Sequence, residues 1–250
     1  METEIPPIRQ SVKYSQDLTF TSHKSYLWIR NNVYFLRNIY SGDVISLKDR
    51  LSSGWQYLPQ FSLYSCKTNV TDATLINVLE VIKLIRSQSL ENLAKRIAEA
   101  QALGDMTRRA NLKSTLPYIT HSGIFIPRRN DGLVLPGFTY QLDIDKIPNA
   151  DEILQKVIND SQLTVLFASK SVSGNGVKAL LFLKELLYMQ ASWTHEQYRT
   201  AYHRTTDILL NYFKQNYNVV IDTQMKSISQ PFYLFHAPDL FIHKNLRKWI

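Results

Sequence analysis

The sequence contains a single cysteine, Cys66, among its 250 residues. One cysteine excludes an internal disulfide and argues against a cysteine-based metal site, as is usual for proteins of reducing compartments. The sequence also lacks an apolar run of roughly 20 residues, the length that spans a bilayer. Its first residues, Met1-Glu-Thr-Glu-Ile-Pro-Pro7, are acidic and contain prolines, unlike a signal peptide. These absences predict a cytoplasmic protein with no membrane partner.

Acidic residues are also fewer than basic residues. The chain has 21 Asp and Glu against 29 Lys and Arg, which gives a net charge of +8 and a pI near 9.4. A basic balance favours a polyanionic partner such as nucleic acid, although it says nothing about fold. The length and the 44% hydrophobic content are those of a soluble globular protein with one large domain or two small ones.

The clearest chemical signal is a pair of aspartates in the predicted strand at residues 140–145. Asp143 and Asp145 are separated by one residue, so on a strand both carboxylates project to one face while Leu142 and Ile144 face the other way. Two carboxylates this close disfavour each other's ionisation unless a cation lies between them. The pair therefore predicts a site for Mg²⁺ or Mn²⁺, which prefer oxygen ligands. The alternative is a strand end whose aspartates face water.

A glycine-containing loop joins two further predicted strands, at residues 163–169 and 179–183. Its backbone N–H groups are suited to cradle a phosphate, with a lysine adding charge, although a plain hairpin turn is the simpler reading. The sequence is not a Walker A loop, because no Gly-Lys-Ser/Thr occurs and a strand follows. The candidate nucleotide-binding residues of this loop are Ser171, Ser173, Gly174, Gly176 and Lys178.

Two more features belong with these. Arg128 and Arg129 form a basic turn just before the aspartate strand and are candidates for binding phosphate, or else an exposed hairpin loop. Asp222 ends another apolar stretch, residues 217–222, which we predict to be a strand. Carboxylates at Asp143, Asp145 and Asp222 beside a phosphate-binding loop are what nucleotidyl transfer with two metal ions requires.

Helices are predicted between these strands. Thr71-Asp72 is predicted to cap the first helix of a hairpin that occupies residues 72–110, with a second helix at 90–109 that Gly104-Asp105 breaks or ends. Further helices are predicted from about residue 150 and over 194–215, and a last strand over 232–236. Residues 1–60 form an N-terminal extension with a predicted hairpin at 26–37, whose aromatic and arginine side chains either belong to the core or bind nucleic acid.

From about residue 61 to 245 the sequence resembles the archaeo-eukaryotic primase-polymerase superfamily. The closer likeness is to its VirE N-terminal-like branch, found in replication proteins of mobile elements. The resemblance rests on the order and spacing of Leu142-Asp-Ile-Asp145, Phe167-Ala-Ser-Lys-Ser-Val-Ser-Gly-Asn-Gly-Val-Lys178 and Val220-Ile-Asp222.

The resemblance implies an α+β fold, with an RRM-like antiparallel or mixed sheet as the catalytic core, flanking helices and an N-terminal α/β extension. It implies that residues 61–250 form a primase-polymerase domain that makes or extends primers on single-stranded DNA from NTPs or dNTPs, with a helicase acting in trans. Asp143, Asp145 and Asp222 would be both catalytic and metal-binding. The residues implied on the triphosphate are Ser173, Gly174, Gly176 and Lys178.

Other functions fit some of these observations. Lys178 stands where many members of the superfamily have histidine, and Gln230 stands where related sequences often have arginine. These departures favour a catalytically weakened module that binds nucleic acid and recruits a replication system. A plain α/β interaction protein with incidental acidic strand ends is the third reading.

Overall fold

A computed structural model of the chain describes residues 25–30, 33–38, 44–46, 59–183 and 195–247. Three strands in its N-terminal part form an antiparallel sheet in the order β1-β2-β3: β1 (Ser25–Arg30), β2 (Val33–Asn38) and β3 (Val44–Ser46). Trp28 lies opposite Phe35 in the register of β1 and β2, so the predicted hairpin is confirmed. The Asn31-Asn32 turn lies outside the described residues.

The first helix begins later than the sequence pattern predicts. Thr74–Asn77 is a strand, β5, paired with β4 (Gln60–Tyr64), and helix α1 spans Val78–Ile85. Asn77, not Thr71-Asp72, is the N-cap: its side chain accepts the N–H groups of Leu79 at 2.9 Å and Glu80 at 3.1 Å, and Glu80 Oε2 accepts the Asn77 N–H at 2.7 Å. The prediction was wrong because Leu75 fits the helical spacing yet pairs on a strand.

The predicted break at Gly104 is confirmed. Helix α2 (Gln88–Ala102) ends there, and Gly104 takes a φ of +69°, a value that suits glycine after a helix. The chain then forms another helix, α3 (Met106–Ser114), whose N-cap Asp105 accepts the Arg108 N–H at 2.8 Å. The helical region thus has three helices instead of the predicted two.

The remaining elements are groups of strands separated by helices. None of the described helices is long and apolar enough to cross a membrane. In chain order these elements are β6 (Tyr118–Thr120), β7 (Gly123–Phe125), β8 (Leu133–Pro136), β9 (Thr139–Ile144), α4 (Ala150–Asn159), β10 (Val165–Lys170), β11 (Val177–Phe182), α5 (His195–Tyr217), β12 (Pro231–Tyr233), β13 (Phe241–Ile242) and α6 (Lys244–Arg247).

Two four-stranded antiparallel sheets organise these elements. One has the order β12-β6-β4-β5, and the other, which we call the site sheet, has the order β13-β10-β11-β9. In the site sheet β11 lies between β9 and β10, is antiparallel to both, and so separates two strands that run in the same direction. The chain is therefore a mixed α+β protein built on antiparallel sheets, as the coarser part of the fold prediction states.

The site sheet is apolar on both faces along most of its length. Leu142 and Ile144 of β9 and Ala179 of β11 pack into a core cluster with α4 and α5. Leu180, which points to the other face, packs into a second cluster with α1, α2 and α3. Since successive strand residues alternate between faces, Asp143 and Lys178 lie on the face of the second cluster. The predicted opposite orientation of Leu142 and Ile144 is confirmed.

The predicted strand at residues 217–222 is absent from the described chain. Helix α5 continues to Tyr217, and Asp222 is the N-cap of a 3-10 turn at Thr223–Lys226, its carboxylate accepting the Gln224 N–H at 2.9 Å. Val219 and Ile221 are buried while Val220 is exposed, an alternation that looks like a strand in the sequence. The segment meets the edge strand β9 through the Asp222 N–H, which donates to the Asp143 carbonyl at 2.9 Å.

A buried histidine joins three parts of the fold beside the site sheet. His121 lies in the turn between β6 and β7, and its Nδ1 donates to the Gln230 carbonyl at 3.0 Å. Because Nδ1 faces an acceptor, Nε2 is the unprotonated nitrogen and accepts the Tyr202 hydroxyl at 2.5 Å. Burial lowers the pKa of His121 from 6.5 to about 4. The rings that contact it are those of Tyr140 and Tyr202, neither of which carries a charge below neutral pH.

His121 should make folding sensitive to mild acid. The unfolded chain binds a proton at His121 near pH 6.5 and the folded chain only near pH 4, so this contribution to stability is present above pH 6.5 and is lost as the pH falls towards 4. Between pH 7 and pH 5 the contribution is about 2 kcal/mol. In urea unfolding at these two pH values, His121→Phe should lose about that much of the pH dependence, whereas His203→Phe, at an exposed position of α5, should keep it. Equal pH dependence in both variants would contradict the assignment.

Candidate functional site

The centre of the candidate site is an ion pair between neighbouring strands. Asp143 of β9 lies directly opposite Lys178 of β11, and the Lys178 ammonium is bonded to Asp143 Oδ2. Gln141 Nε2 donates to the same oxygen at 3.2 Å. The side chains of Lys178 and Asp143 are 20% and 9% exposed, so the pair is largely withdrawn from water. The sequence predicted both residues for the site, but not their contact.

The second oxygen of Asp143 has no such partner. Oδ1 is buried and makes no hydrogen bond within the described chain. Burial raises the pKa of Asp143, the Lys178 ammonium opposes that shift, and the negative charges of Asp145 and Asp222 raise the pKa further. A buried carboxylate with one unsatisfied oxygen is costly in a protein interior. Asp143 Oδ1 can therefore accept a hydrogen bond or bind a cation.

Asp145 and Asp222 lie around Asp143. Asp145 follows the end of β9 and is exposed, and the left-handed residue Lys146 (φ +57°) turns the chain away immediately after it. Asp222 is partly buried and is held beside β9 by its backbone bond to the Asp143 carbonyl. Both charges act on Asp143. The structure thus brings together the three carboxylates that the sequence predicted.

The loop between β10 and β11 is a tight turn that lies against Asp145. The Ser171 N–H donates to the Gly176 carbonyl at 2.8 Å, and Ser171 Oγ lies 3.2 Å from Ser173 Oγ. The Ile147 N–H donates to the Asn175 carbonyl at 2.9 Å, which fastens the loop to the segment after β9. Ser173, Gly174 and Asn175 at its tip are exposed. The predicted loop residues therefore lie next to the carboxylates, as a phosphate-binding role requires.

Arg128 and Arg129, the two arginines predicted to bind phosphate, make their described contacts away from the three aspartates. The Arg128 guanidinium lies over the ring of Tyr118, 5.0 Å from its centroid, and its Nε is buried without a hydrogen-bond partner in the described chain. Arg129 is exposed and pairs with Asp131 at 3.1 Å. The hairpin of β7 and β8 carries both side chains, and neither is recorded in contact with Asp143, Asp145 or Asp222. Their role on a triphosphate stays a prediction.

Two cations on helix α3 are additional candidates. Arg109 and Lys113 are partly buried, and the charges of Arg109, Lys178 and Asp145 all act on Lys113. In the sequence these residues form a basic cluster with Arg108, for which the two hypotheses are a solvent-exposed surface and a surface that faces phosphates. The signal that separates them from exposed Arg108 is their spacing of four residues, which places both on one side of the helix.

The carboxylate oxygens of the site meet some, but not all, of the requirements for binding a hard cation such as Mg²⁺. Carboxylate oxygens are the ligands that Mg²⁺ and Mn²⁺ prefer, and Asp143 Oδ1 is free to bind one. Within the described residues, however, no group of three or more His, Cys, Asp or Glu side chains is arranged to hold a metal ion. Lys178 occupies the other Asp143 oxygen instead. A cation bound by Asp143 and its neighbours would require Asp145 or Asp222 to move towards it.

The fold and site define a mixed α+β protein with a buried acidic and basic centre on an antiparallel sheet. The sequence profile described as "BT4734-like, N-terminal domain" matches residues 111–241. This match covers just over half of the 250 residues, so the chain belongs to that family. Neither the curated proteins nor the solved structures include a significant match. The matched segment begins within α3 and ends at the start of β13, and it contains Asp143, Lys178, Asp145, Asp222 and Lys113 but not Arg109.

The ion pair can be tested by removing its partners singly and together. Lys178→Met leaves the buried Asp143 carboxylate without its cation, and we expect it to lower the free energy of unfolding by about 3 kcal/mol at pH 7. Because the unpaired carboxyl then binds a proton more readily, the loss should shrink as the pH falls towards 4.

The double variant Lys178→Met/Asp143→Leu should recover most of that loss, since it removes both buried charges. Lys156→Met, which breaks the exposed pair with Glu152, serves as a control and should change stability by less than about 0.5 kcal/mol. Chemical denaturation compares these variants with the wild type and with the single variant Asp143→Leu, which completes the double-mutant cycle. Additive losses in the double variant would show that Asp143 and Lys178 do not interact.

Gly176 should be the least replaceable glycine of the loop. A Cβ at this position would meet the Ile144 carbonyl and would lie 2.9 Å from Ser171 Oγ and 3.1 Å from Asp145 Oδ1. We expect Gly176→Ala to destabilise the protein by about 2 kcal/mol, because backbone must move to admit the methyl group. Gly174→Ala meets no atom within 4 Å and suffers only from its φ of +77°, at a cost of about 1 kcal/mol. Thermal unfolding of the two variants compares them, and equal losses would contradict this account.

Proposed function

We propose that the chain is a nucleotidyltransferase of the primase-polymerase class, which makes or extends primers on a single-stranded DNA template from NTPs or dNTPs. The observation that carries the proposal is the convergence of Asp143, Asp145 and Asp222 beside Lys178 and the loop at residues 171–176. Carboxylates and a phosphate-binding loop at one sheet edge are the parts that this reaction needs. The positive net charge of +8 suits a nucleic-acid partner.

The topology of the site sheet agrees with an RRM-like core. The elements β9, α4 and β10 form a βαβ unit whose two strands are separated by β11, an arrangement known as the split βαβ unit. Asp143 and Lys178 lie on adjacent strands of that unit, so the sheet itself sets their distance. We therefore assign the catalytic core to residues from β9 onward, within the domain at 61–250, with residues 1–60 as an extension.

In the proposed reaction a primer 3′-hydroxyl oxygen attacks the α-phosphorus of the nucleotide and loses its proton to water, the bond from that phosphorus to the bridging oxygen breaks, and pyrophosphate leaves. Asp143, Asp145 and Asp222 would hold Mg²⁺ or Mn²⁺, which when bound would stabilise negative charge on the phosphoryl oxygens. The backbone N–H groups at the loop tip and the Ser173 hydroxyl would bind the triphosphate. Once its ion pair with Asp143 is broken, Lys178 would neutralise the charge on a phosphate oxygen. Positioning of the reactants and electrostatic stabilisation would supply most of the catalysis.

A second candidate function follows from the ion pair itself. Lys178 already neutralises Asp143, and the described residues form no ready metal-binding group. Such a site suits a module that binds single-stranded DNA and recruits a helicase or another replication protein of a mobile element without performing catalysis. Its binding would depend on salt, because counterions are released from DNA, and would not depend on the carboxylates.

Primer synthesis by the purified chain decides between the two functions. With single-stranded DNA, labelled NTPs or dNTPs and Mg²⁺ or Mn²⁺, the wild type should give products, and Asp143→Ala/Asp145→Ala should reduce them at least about a hundredfold by removing the cation ligands. The matched control Asp151→Ala/Asp239→Ala removes two exposed carboxylates and should keep full activity. Circular dichroism confirms that both double variants fold.

Product formation by Asp143→Ala/Asp145→Ala at the wild-type rate would overturn the proposed mechanism. Absence of product from the wild type, with salt-dependent DNA binding that the double variant retains, would establish the binding module instead.

A further inference from the structure

Helix α3 is held over the face of the site sheet that carries Asp143 and Lys178. Its buried residue Leu112 belongs to the same apolar cluster as Leu180, which lies two residues after Lys178 and therefore on the same face of β11. The far end of the helix is fixed by the Ser114 carbonyl, which accepts the Lys67 N–H at 3.1 Å. Lys113, the residue after Leu112, is near enough to the site for the charges of Lys178 and Asp145 to act on it.

Arg109 and Lys113 are the cations that this packing brings inward. They are four residues apart, on one side of the helix, and both are partly buried, whereas Arg108 is exposed. Arg109 Nε is buried and has no hydrogen-bond partner in the described part of the chain. No described carboxylate forms an ion pair with either side chain. Among the described residues, these two partly buried cations therefore lack the anionic partners that usually accompany such groups.

The electrostatics of the cluster favour the binding of an anion. Burial, followed by the positive charges of Arg109 and Lys178, lowers the pKa of Lys113, and the carboxylate of Asp145 only partly opposes this. Lys178 is already engaged by Asp143. Positive charges that are close together and partly shielded from water repel one another, which destabilises the protein without ligand. A bound polyanion would reduce that repulsion.

The shape of the cluster favours a polyphosphate over a nucleic-acid strand. A groove that follows a strand spreads its cations along the path of successive phosphates. Here the charges of Arg109, Lys178 and Asp145 all act on Lys113, and Asp145 lies beside Gly176 of the loop at residues 171–176. A nucleoside triphosphate concentrates several negative charges within such a space.

We propose that Arg109 and Lys113 of α3 bind the polyphosphate of a nucleoside triphosphate together with Lys178. This inference rests on the proposed function, whose substrate it shares, and adds a helix outside the site sheet to the substrate-binding residues. Binding of the polyphosphate would reduce the repulsion among these cations.

The test is calorimetric binding of inorganic tripolyphosphate with Mg²⁺ to the full chain, which needs no turnover. Lys113→Met and Arg109→Met should each weaken binding at least tenfold, whereas Arg108→Met, one position along the same helix, should leave it unchanged. Without ligand, Lys113→Met should melt at the same temperature as the wild type or higher, since a repelled charge has been removed. A merely structural lysine would give a lower melting temperature and unchanged binding.

The remaining outcomes separate this inference from the proposed function. Unchanged binding in Lys113→Met and Arg109→Met, with primer synthesis by the wild type intact, would overturn the role of α3 alone. Equal weakening in Arg108→Met would overturn it as well, since binding would then follow net charge. If the variants weaken binding of single-stranded DNA but not of tripolyphosphate, the cluster binds a strand and the proposal is wrong. No binding of tripolyphosphate and no primer synthesis by the wild type would overturn both.

Discussion

The buried contact between Asp143 and Lys178 is the constraint on which the rest of the site depends. A carboxylate that is 9% exposed cannot stay charged without a cation beside it, and the partner strand supplies one. The pairing also specifies register. A shift of one residue between β9 and β11 would turn the charged side chain of the strand that shifts into the apolar cluster that holds Leu142 and Ala179, and would separate it from its partner. The same register places Gly176 under the Ile144 carbonyl, so ion pair and loop are positioned together.

In this arrangement the positive and negative charges of the site are only partly paired with one another. Within the described chain, one oxygen of Asp143 contacts Lys178 and the other has no hydrogen-bond partner, while neither Lys113 nor Arg109 forms an ion pair with a carboxylate. Excess negative charge therefore lies towards Asp145 and Asp222, and excess positive charge lies towards α3. A substrate that brings both a cation and a polyphosphate would complement the two parts at once. A DNA phosphate alone would complement only one of them.

Sequence periodicity predicted the parts of the fold that depend on local geometry. The two-residue repeat of β9 correctly separated Asp143 from Leu142 and Ile144, and the helix spacing located α4 and α5 within a few residues. Periodicity gave the wrong prediction where one pattern of apolar residues fits two kinds of structure. The alternation of Val219, Val220 and Ile221 suits a strand, but the segment makes no ladder with β9, and only packing distinguishes these cases.

The partners of the site were less predictable, because they depend on which elements pack together. Arg128 stands close to the aspartate strand in the sequence, yet the hairpin of β7 and β8 carries it to Tyr118 of another sheet. Lys113 stands about thirty residues before Asp143 in the sequence, yet Leu112 brings it to the site through the cluster that it shares with Leu180. Nearness in sequence is informative only within an element. Between elements, the buried apolar residue next to a charge decides where the charge points, and a search for site residues should begin from those anchors.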